Sequence, residues 1–309
     1  MRKVFKVTLW ILVSFLLLIN IVVAIHAYKY THYYDPPKGH GLKKSSRVTF
    51  SDVLFGLHFY RKPDNILPDT AFETVYLSTN GLKLQGWMVK AQSPKGTIVM
   101  FHGHGGNKSD ILEEAKQFRK LGFNTFLLDF RAHGNSEGHT CTIGYDEAED
   151  VRMAYNYVRE KGEKHIILWG ISLGAASITR AISSLHIFPE KVILELPFGS
   201  LVKAVEAKIK MMNLPAEPLA SMLTFWGGAE HGFWAFGNCP SEYVKDIHCP
   251  VLLELGALDK RVTKSEGEEI YKNISAPKNE VIYEHAGHES LYKNEPAKWT
   301  REVSSFLNQ

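Results

Sequence analysis

The sequence predicts an α/β fold, a mostly parallel central sheet with an antiparallel start and helices on both faces. Two observations carry this. A hairpin pattern opens the domain at "FETVYLST" and "LKLQGWMVK", with Asn80-Gly81 between them. Short apolar runs and helix-spaced segments then alternate about six times to the C-terminus.

The elements follow in chain order. "MRKVFK" carries three positive charges, and Val7 to Ala27 contains no Asp, Glu, Lys or Arg. A bilayer-spanning helix needs about 20 mostly apolar residues, and this run matches. A signal peptide is the rival, with a weak cleavage site at Val22-Val23-Ala24. Its apolar core, however, is ordinarily only about 7–15 residues long. Length therefore favours an uncleaved anchor over residues 1–27. The basic flank then stays in the cytoplasm and the domain faces outward, against which Lys29 and Lys38 weigh slightly. Secretion after cleavage is the alternative. Residues 28–70 read as a polar connector, in which Pro36-Pro37, Gly39 and Gly41 argue against regular structure.

The domain proper covers residues 71–309. "GTIVMFHG" is a short apolar run ending in glycine, and "ILEEAKQFRKLG" has helical spacing with a Gly stop. "FNTFLLDF" is the next strand. "GYDEAEDVRMAYNYVREKG" is a helix with acids early and bases late, as the helix dipole favours. "HIILWG", "LGAASITRAISSL" and "KVILEL" read as strand, helix and strand. After a gap come the strand "PVLLELG", a helix near "KSEGEEIYKNI", the strand "NEVIYEH" and a last helix, "PAKWTREVSSFLN". In such sheets ligands bind at the carboxyl ends of the strands, so the chemistry is sought in the loops there.

Ser172 lies in Gly-x-Ser-x-Gly, between a strand and a helix. That five-residue pattern is common by chance, and its context gives it weight. Gly170 and Gly174 permit a tight turn, and the free amides of the helix start lie beneath the hydroxyl. A serine hydroxyl needs a base. His288 in "HAGHESLY" follows the last strand, with His285 as its local rival. Asp259 in "LLELGALDKRV" is the candidate acid to orient the imidazole. Glu195, at the end of "KVILEL", is the alternative acid, and Asp129 reads as a loop-ordering carboxylate. The order Ser172, Asp259, His288 is the one expected of a nucleophile-elbow fold. In "MFHGHGGNKSD" the glycines allow close backbone approach, so the His104 amide joins that of Leu173 as the expected oxyanion hole. Asn107 or Ser109 is expected to cap the helix after it.

These segments resemble the α/β-hydrolases from about Phe72 to the C-terminus. "HGHGGN" is similar to their oxyanion loop, "DFRAHGNSEG" to the loop after the fourth strand, "GISLG" to the elbow, "GALDKRV" to the acid loop and "AGH" to the histidine loop. The chain looks like bacterial members with an N-terminal membrane anchor, and some related groups are described as serine aminopeptidase-like or as acyl-protein and lipid esterases. Ala132 departs from the Gly of many members. The resemblance implies a serine mechanism with no metal and no organic cofactor. A metal cluster built from His102, His104, His133, His139, His285 and His288 is the rival. It lacks the acidic pattern of a dinuclear hydrolase.

A cap insertion is expected at about residues 199–246. It holds Met211, Met212, Met222, Phe225, Trp226, Phe233, Trp234 and Phe236. These residues would line an acyl pocket, rest on a membrane or form the cap's own core. The expected activity is hydrolysis of a carboxylic ester, thioester included, with a small-molecule or lipid-like acyl substrate. Amide cleavage and non-catalytic binding are the alternatives, though Glu217, Glu230 and Glu242 form no acidic cluster in the cap for a substrate amine. A net charge of +3 gives no case for nucleic acid. Cys141, Cys239 and Cys249 fit no zinc spacing. Cys239 and Cys249 either pair in an oxidising compartment or stay free. The oligomeric state is open.

Overall fold

The computed structural model describes residues 2–36, 49–64 and 66–309. Pro37, Lys38, Gly39 and Gly41 of the expected connector lie outside them. The apolar run forms the helix α1 (Arg2–Thr31), which continues past Ala27. Val23, Ala27 and Thr31, four residues apart, form its buried stripe, whereas Leu9 to Leu18 is largely exposed.

The connector holds more regular structure than the local sequence suggests. Strand β1 (Tyr33–Tyr34) pairs in parallel with β2 (Phe59–Tyr60). The helix α2 (Phe50–Phe55) starts at a Thr49–Asp52 capping box. Contacts remote in sequence supply the missing stabilisation. The Tyr33 amide donates to His139 O at 2.7 Å, and Arg61 donates to Ser136 O at 2.6 Å.

The central sheet has eight strands: β3 (Glu73–Thr79), β4 (Leu82–Val89), β5 (Thr97–Phe101), β6 (Asn124–Leu128), β7 (Ile166–Ile171), β8 (Lys191–Glu195), β9 (Val251–Gly256) and β10 (Lys278–Tyr283). Their spatial order is β10-β9-β8-β7-β5-β6-β4-β3. β4 runs antiparallel to both its neighbours, and the other pairings are parallel. Asn80 and Gly81 join β3 to β4 with φ of 46° and 79°, the backbone a two-residue hairpin turn requires.

Side chains alternate across the strands, so each strand feeds two cores. On one face Ile98, Met100 and Trp169 meet Phe118 of α3 (Leu112–Lys120) and the last helix of the chain, Pro296–Leu307, through Trp299 and Phe306. On the other, Val99, Phe101 and Leu168 meet α4 (Glu147–Glu160) through Val151 and α5 (Leu173–Leu185) through Ile178. The chain reverses direction across the sheet between β5 and β7. The loops after these two strands flank the switch-point crevice where α/β sheets bind ligands.

Between β8 and β9 the alternation lapses into helices. α6 (Leu201–Lys210) packs on α7 (Leu219–His231), and α7 packs against α1. The three cysteines are free.

Candidate active site

Ser172 sits at the turn from β7 into α5 with φ 54° and ψ −107°, a left-handed conformation that a residue with a Cβ adopts only under strain. The flanking glycines are demanded by space. A Cβ on Gly174 would lie 2.3 Å from Phe101 O, and one on Gly170 would lie 2.5 Å from the Gly174 carbonyl carbon. Both obstacles are backbone. We expect Gly174→Ala to cost about 3 kcal/mol of stability and to depress turnover. Denaturant melting and kcat/KM measured on one preparation check this.

The three residues expected from sequence meet here. His288 Nε2 lies 2.8 Å from Ser172 Oγ, and His288 Nδ1 lies 2.8 Å from Asp259 Oδ2. The other carboxylate oxygen, Oδ1, accepts from the amides of Arg261 at 2.7 Å and Val262 at 3.0 Å. Burial of Asp259 works to raise its pKa. The His288 hydrogen bond and charge and the two amides outweigh burial and hold the carboxyl below its usual range. The carboxylate is therefore ionised and aimed at the imidazole.

The alternatives lie elsewhere. Glu195 is wholly buried, and its Oε1 accepts from the indoles of Trp169 at 2.8 Å and Trp299 at 2.7 Å. Burial, then the neighbouring Glu254, pushes its carboxyl far up, so it is a protonated core group. Its backbone carbonyl does serve the elbow, accepting from the Ser172 amide at 2.8 Å. His285, the local rival, is exposed, and its backbone amide donates to Glu295 at 2.9 Å. Asp129 orders its loop, accepting from the Lys108 amide at 2.7 Å, the Asn135 amide at 2.9 Å and the buried Lys108 ammonium. Ala132 occupies a buried position at φ 61°, which explains why glycine suits that site. Asn107 forms the expected cap, accepting from the Ser109 amide at 3.0 Å.

The loop after β5 lies over the elbow. A Cβ built on Gly103 would be 3.8 Å from that of Ser172. Two rings of the rival metal reading, those of His102 and His133, are engaged by protein at both nitrogens. His102 Nε2 accepts from the Phe130 amide at 3.2 Å, and its Nδ1 donates to Gly103 O at 2.8 Å. His133 Nε2 accepts from the Gly105 amide at 3.2 Å, and its Nδ1 donates to Arg131 O at 2.8 Å. Burial lowers the His102 pKa to about 4 and, with the charge of the neighbouring rings, those of His104 and His133 to about 3. All three are neutral packing groups around the loop. Sequence reasoning missed what holds His104. Tyr30 stacks on its ring at 5.2 Å, and the Tyr33 hydroxyl lies 3.1 Å from its Nε2. No local signal marks these two tyrosines, because the contact spans about seventy residues.

A cavity of about 420 Å³ opens at Ser172, lined among others by His104, Ile171, Arg261, His288 and Lys293. Asp110, Glu114 and Glu289 also line it, an acidic contribution from the main domain that the cap sequence did not show. Among the described residues, none of the apolar residues between α6 and α8 (Pro240–Tyr243) borders this cavity.

Known proteins agree with this architecture. The family described as serine aminopeptidase, S33, matches residues 92–225. The chain is 26% identical over 243 residues to the uncharacterized protein YqkD of Bacillus subtilis, covering 77% of this chain and 79% of that one. It is 27% identical over 201 residues to the lysophosphatidylserine lipase ABHD12 of Danio rerio, covering 60% of this chain and 49% of that protein. The Pyrococcus furiosus esterase Pf2001 superposes with a TM-score of 0.66 at 24% identity, covering 80% of this chain and 97% of the esterase. The strand order, the strained elbow and these likenesses agree: the chain has the α/β-hydrolase fold, is similar over residues 92–225 to the serine aminopeptidase, S33, family, and carries a long apolar helix at its N-terminus.

Proposed function

We propose that this enzyme hydrolyses carboxylic esters through an acyl-enzyme formed on Ser172. The observation that carries the reading is the continuous line Ser172 Oγ–His288–Asp259, with 2.8 Å at each joint. His288 takes the proton of Ser172 as the hydroxyl attacks the carbonyl and gives it to the leaving alcohol. Asp259 holds the tautomer and balances the imidazolium. The amides of Leu173 and His104 receive the oxyanion. Water, activated by the same imidazole, then releases the acid. The residues require neither a metal nor an organic cofactor for these steps.

The substrate we favour carries a lipophilic acyl chain. The cavity residues His104, Arg261, Glu289 and Lys293 suit the leaving alcohol, and α7, which carries no charge over Leu219–Ala229, packs against the apolar helix α1. On this reading α1 is a retained anchor, with the domain outside the cytoplasm and 199–246 as its cap. A p-nitrophenyl ester series from C2 to C16 tests the substrate class. kcat/KM should rise toward medium or long chains, whereas a flat or short-only profile overturns it.

Amide cleavage is the second reading, favoured by the acidic residues Asp110, Glu114 and Glu289 at the cavity. An amino-terminal ammonium would need their charge. However, Asp110 is already paired with Lys62, and burial pushes the Glu114 carboxyl up toward its neutral form. Aminoacyl p-nitroanilides should therefore be cleaved at least about 100-fold more slowly than esters of the same acyl group. Faster cleavage of the anilides would reverse the assignment.

A further inference from the structure

The packing of α1 against α7 bears on where the substrate comes from. Trp226 of α7 donates its indole N–H to Asn20 of α1 at 3.2 Å, and the Val23, Ala27 and Thr31 stripe of α1 is buried above that point. Asn20 lies inside the apolar run, about 10 Å short of Ala27 at 1.5 Å per residue. If the membrane stopped below α7, only Val7–Ile19 would remain to cross it, about 20 Å of helix. The hydrocarbon core is about 30 Å thick. Extending the span downward to Arg2 would draw Lys3 and Lys6 into the hydrocarbon.

The composition of α7 fits the same placement. Leu219–Ala229 carries no charge on any face, while Glu217 and Glu230 flank it, as in a helix surrounded by apolar material. Phe225 packs edge-on against Trp226, at the level of Asn20, and is 46% exposed. At the upper end, His32, Glu230 and His231 bring side-chain atoms within 4.8 Å of one another and tie α7 to the residue after α1. Just there, Tyr30 and Tyr33 touch His104 beside Ser172.

We propose that α7 enters the outer leaflet together with α1, so that the catalytic cleft faces the bilayer and takes its ester from a membrane lipid. A lipid ester lies at the boundary of headgroup and chain, the level at which α1 leaves the apolar layer and meets the oxyanion loop. This rests on α1 being a retained anchor and, for the substrate, on the Ser172 assignment.

The test uses the full chain in phosphatidylcholine–phosphatidylglycerol nanodiscs. A spin label is placed at Phe225→Cys or, as a reference, at Phe188→Cys. Phe188 is an exposed phenylalanine before β8, at the opposite end of the sheet. Collisional relaxation by oxygen should exceed that by a water-soluble nickel chelate at 225, with the reverse at 188. Nickel access at 225 equal to that at 188, or exclusion of both reagents as in a contact between two copies, overturns the placement. This readout needs no catalysis, so it stands or falls apart from the Ser172 assignment. In a second arm, Phe225→Glu should lower turnover of a long-chain lipid ester in nanodiscs at least about fivefold while p-nitrophenyl butyrate turnover in detergent is unchanged. Equal activity of the variant on both substrates overturns delivery from the bilayer.

Discussion

Ser172→Ala should remove ester turnover by at least about 10⁴-fold while leaving the fold intact. The loss follows from the geometry, since Ser172 Oγ is the atom His288 Nε2 faces at 2.8 Å. The fold should survive because the variant keeps its Cβ, and the turn is held by the Ser172 amide on Glu195 O and the Ala176 amide on Ser172 O. Neither bond uses the hydroxyl. The hydroxyl holds no part of the fold, so the melting temperature should be little changed. Thermal melting beside kcat/KM separates the two effects. Retention of most activity by a folded variant would move the chemistry off Ser172.

Asp259→Asn should be nearly as damaging, with kcat lower by about 10⁴-fold and KM little changed. An amide at this position presents a donor to His288 Nδ1 and forces the wrong tautomer. The imidazolium of the transition state also loses its counter-charge. A pH dependence of stability accompanies this. The folded Asp259 carboxyl lies below its unfolded value, so it contributes stability above the unfolded pKa, and that contribution is lost as the pH falls through the folded one. The wild type should lose stability relative to the Asn variant as the pH drops below about 4. Glu195 cannot substitute, because Trp169 and Trp299 hold its carboxyl inside the core.

The fold and the convergence of Ser172, Asp259 and His288 were legible in the sequence because local patterns encode them. Short apolar runs mark the strands of a sheet covered on both faces, and glycines mark turns where backbone approaches backbone. The Gly170 and Gly174 spacing carried the elbow, since the clash their substitution would create is with neighbouring main chain. Asp259 and His288 each follow a strand, which places them at one edge of the sheet without further information. Long-range contacts were not legible. The connector acquires structure through Arg61 and Tyr33, whose partners lie about seventy to one hundred residues away. The clasp of Tyr30 and Tyr33 on His104 carries no motif. The acidic side chains at the cavity were missed because Asp110 and Glu114 belong to the helical turn and the helix after the loop that follows β5, where acids read as ordinary helix-start residues. The apolar residues of 199–246, read as a choice between pocket, core and membrane, find neighbours that no local pattern names. Phe233 stacks on Tyr145, Trp226 bonds α1 and Trp234 is exposed.

The central claim is that Ser172 is an activated nucleophile. A fluorophosphonate probe tests it most directly, because it forms a stable phosphonyl ester only with a serine whose hydroxyl is deprotonated by a neighbouring base. The full chain in detergent should label at one equivalent, with the adduct on the peptide that contains Ser172, and Ser172→Ala should not label. An unlabelled wild-type enzyme that is folded, or equal labelling of the alanine variant, would contradict the account.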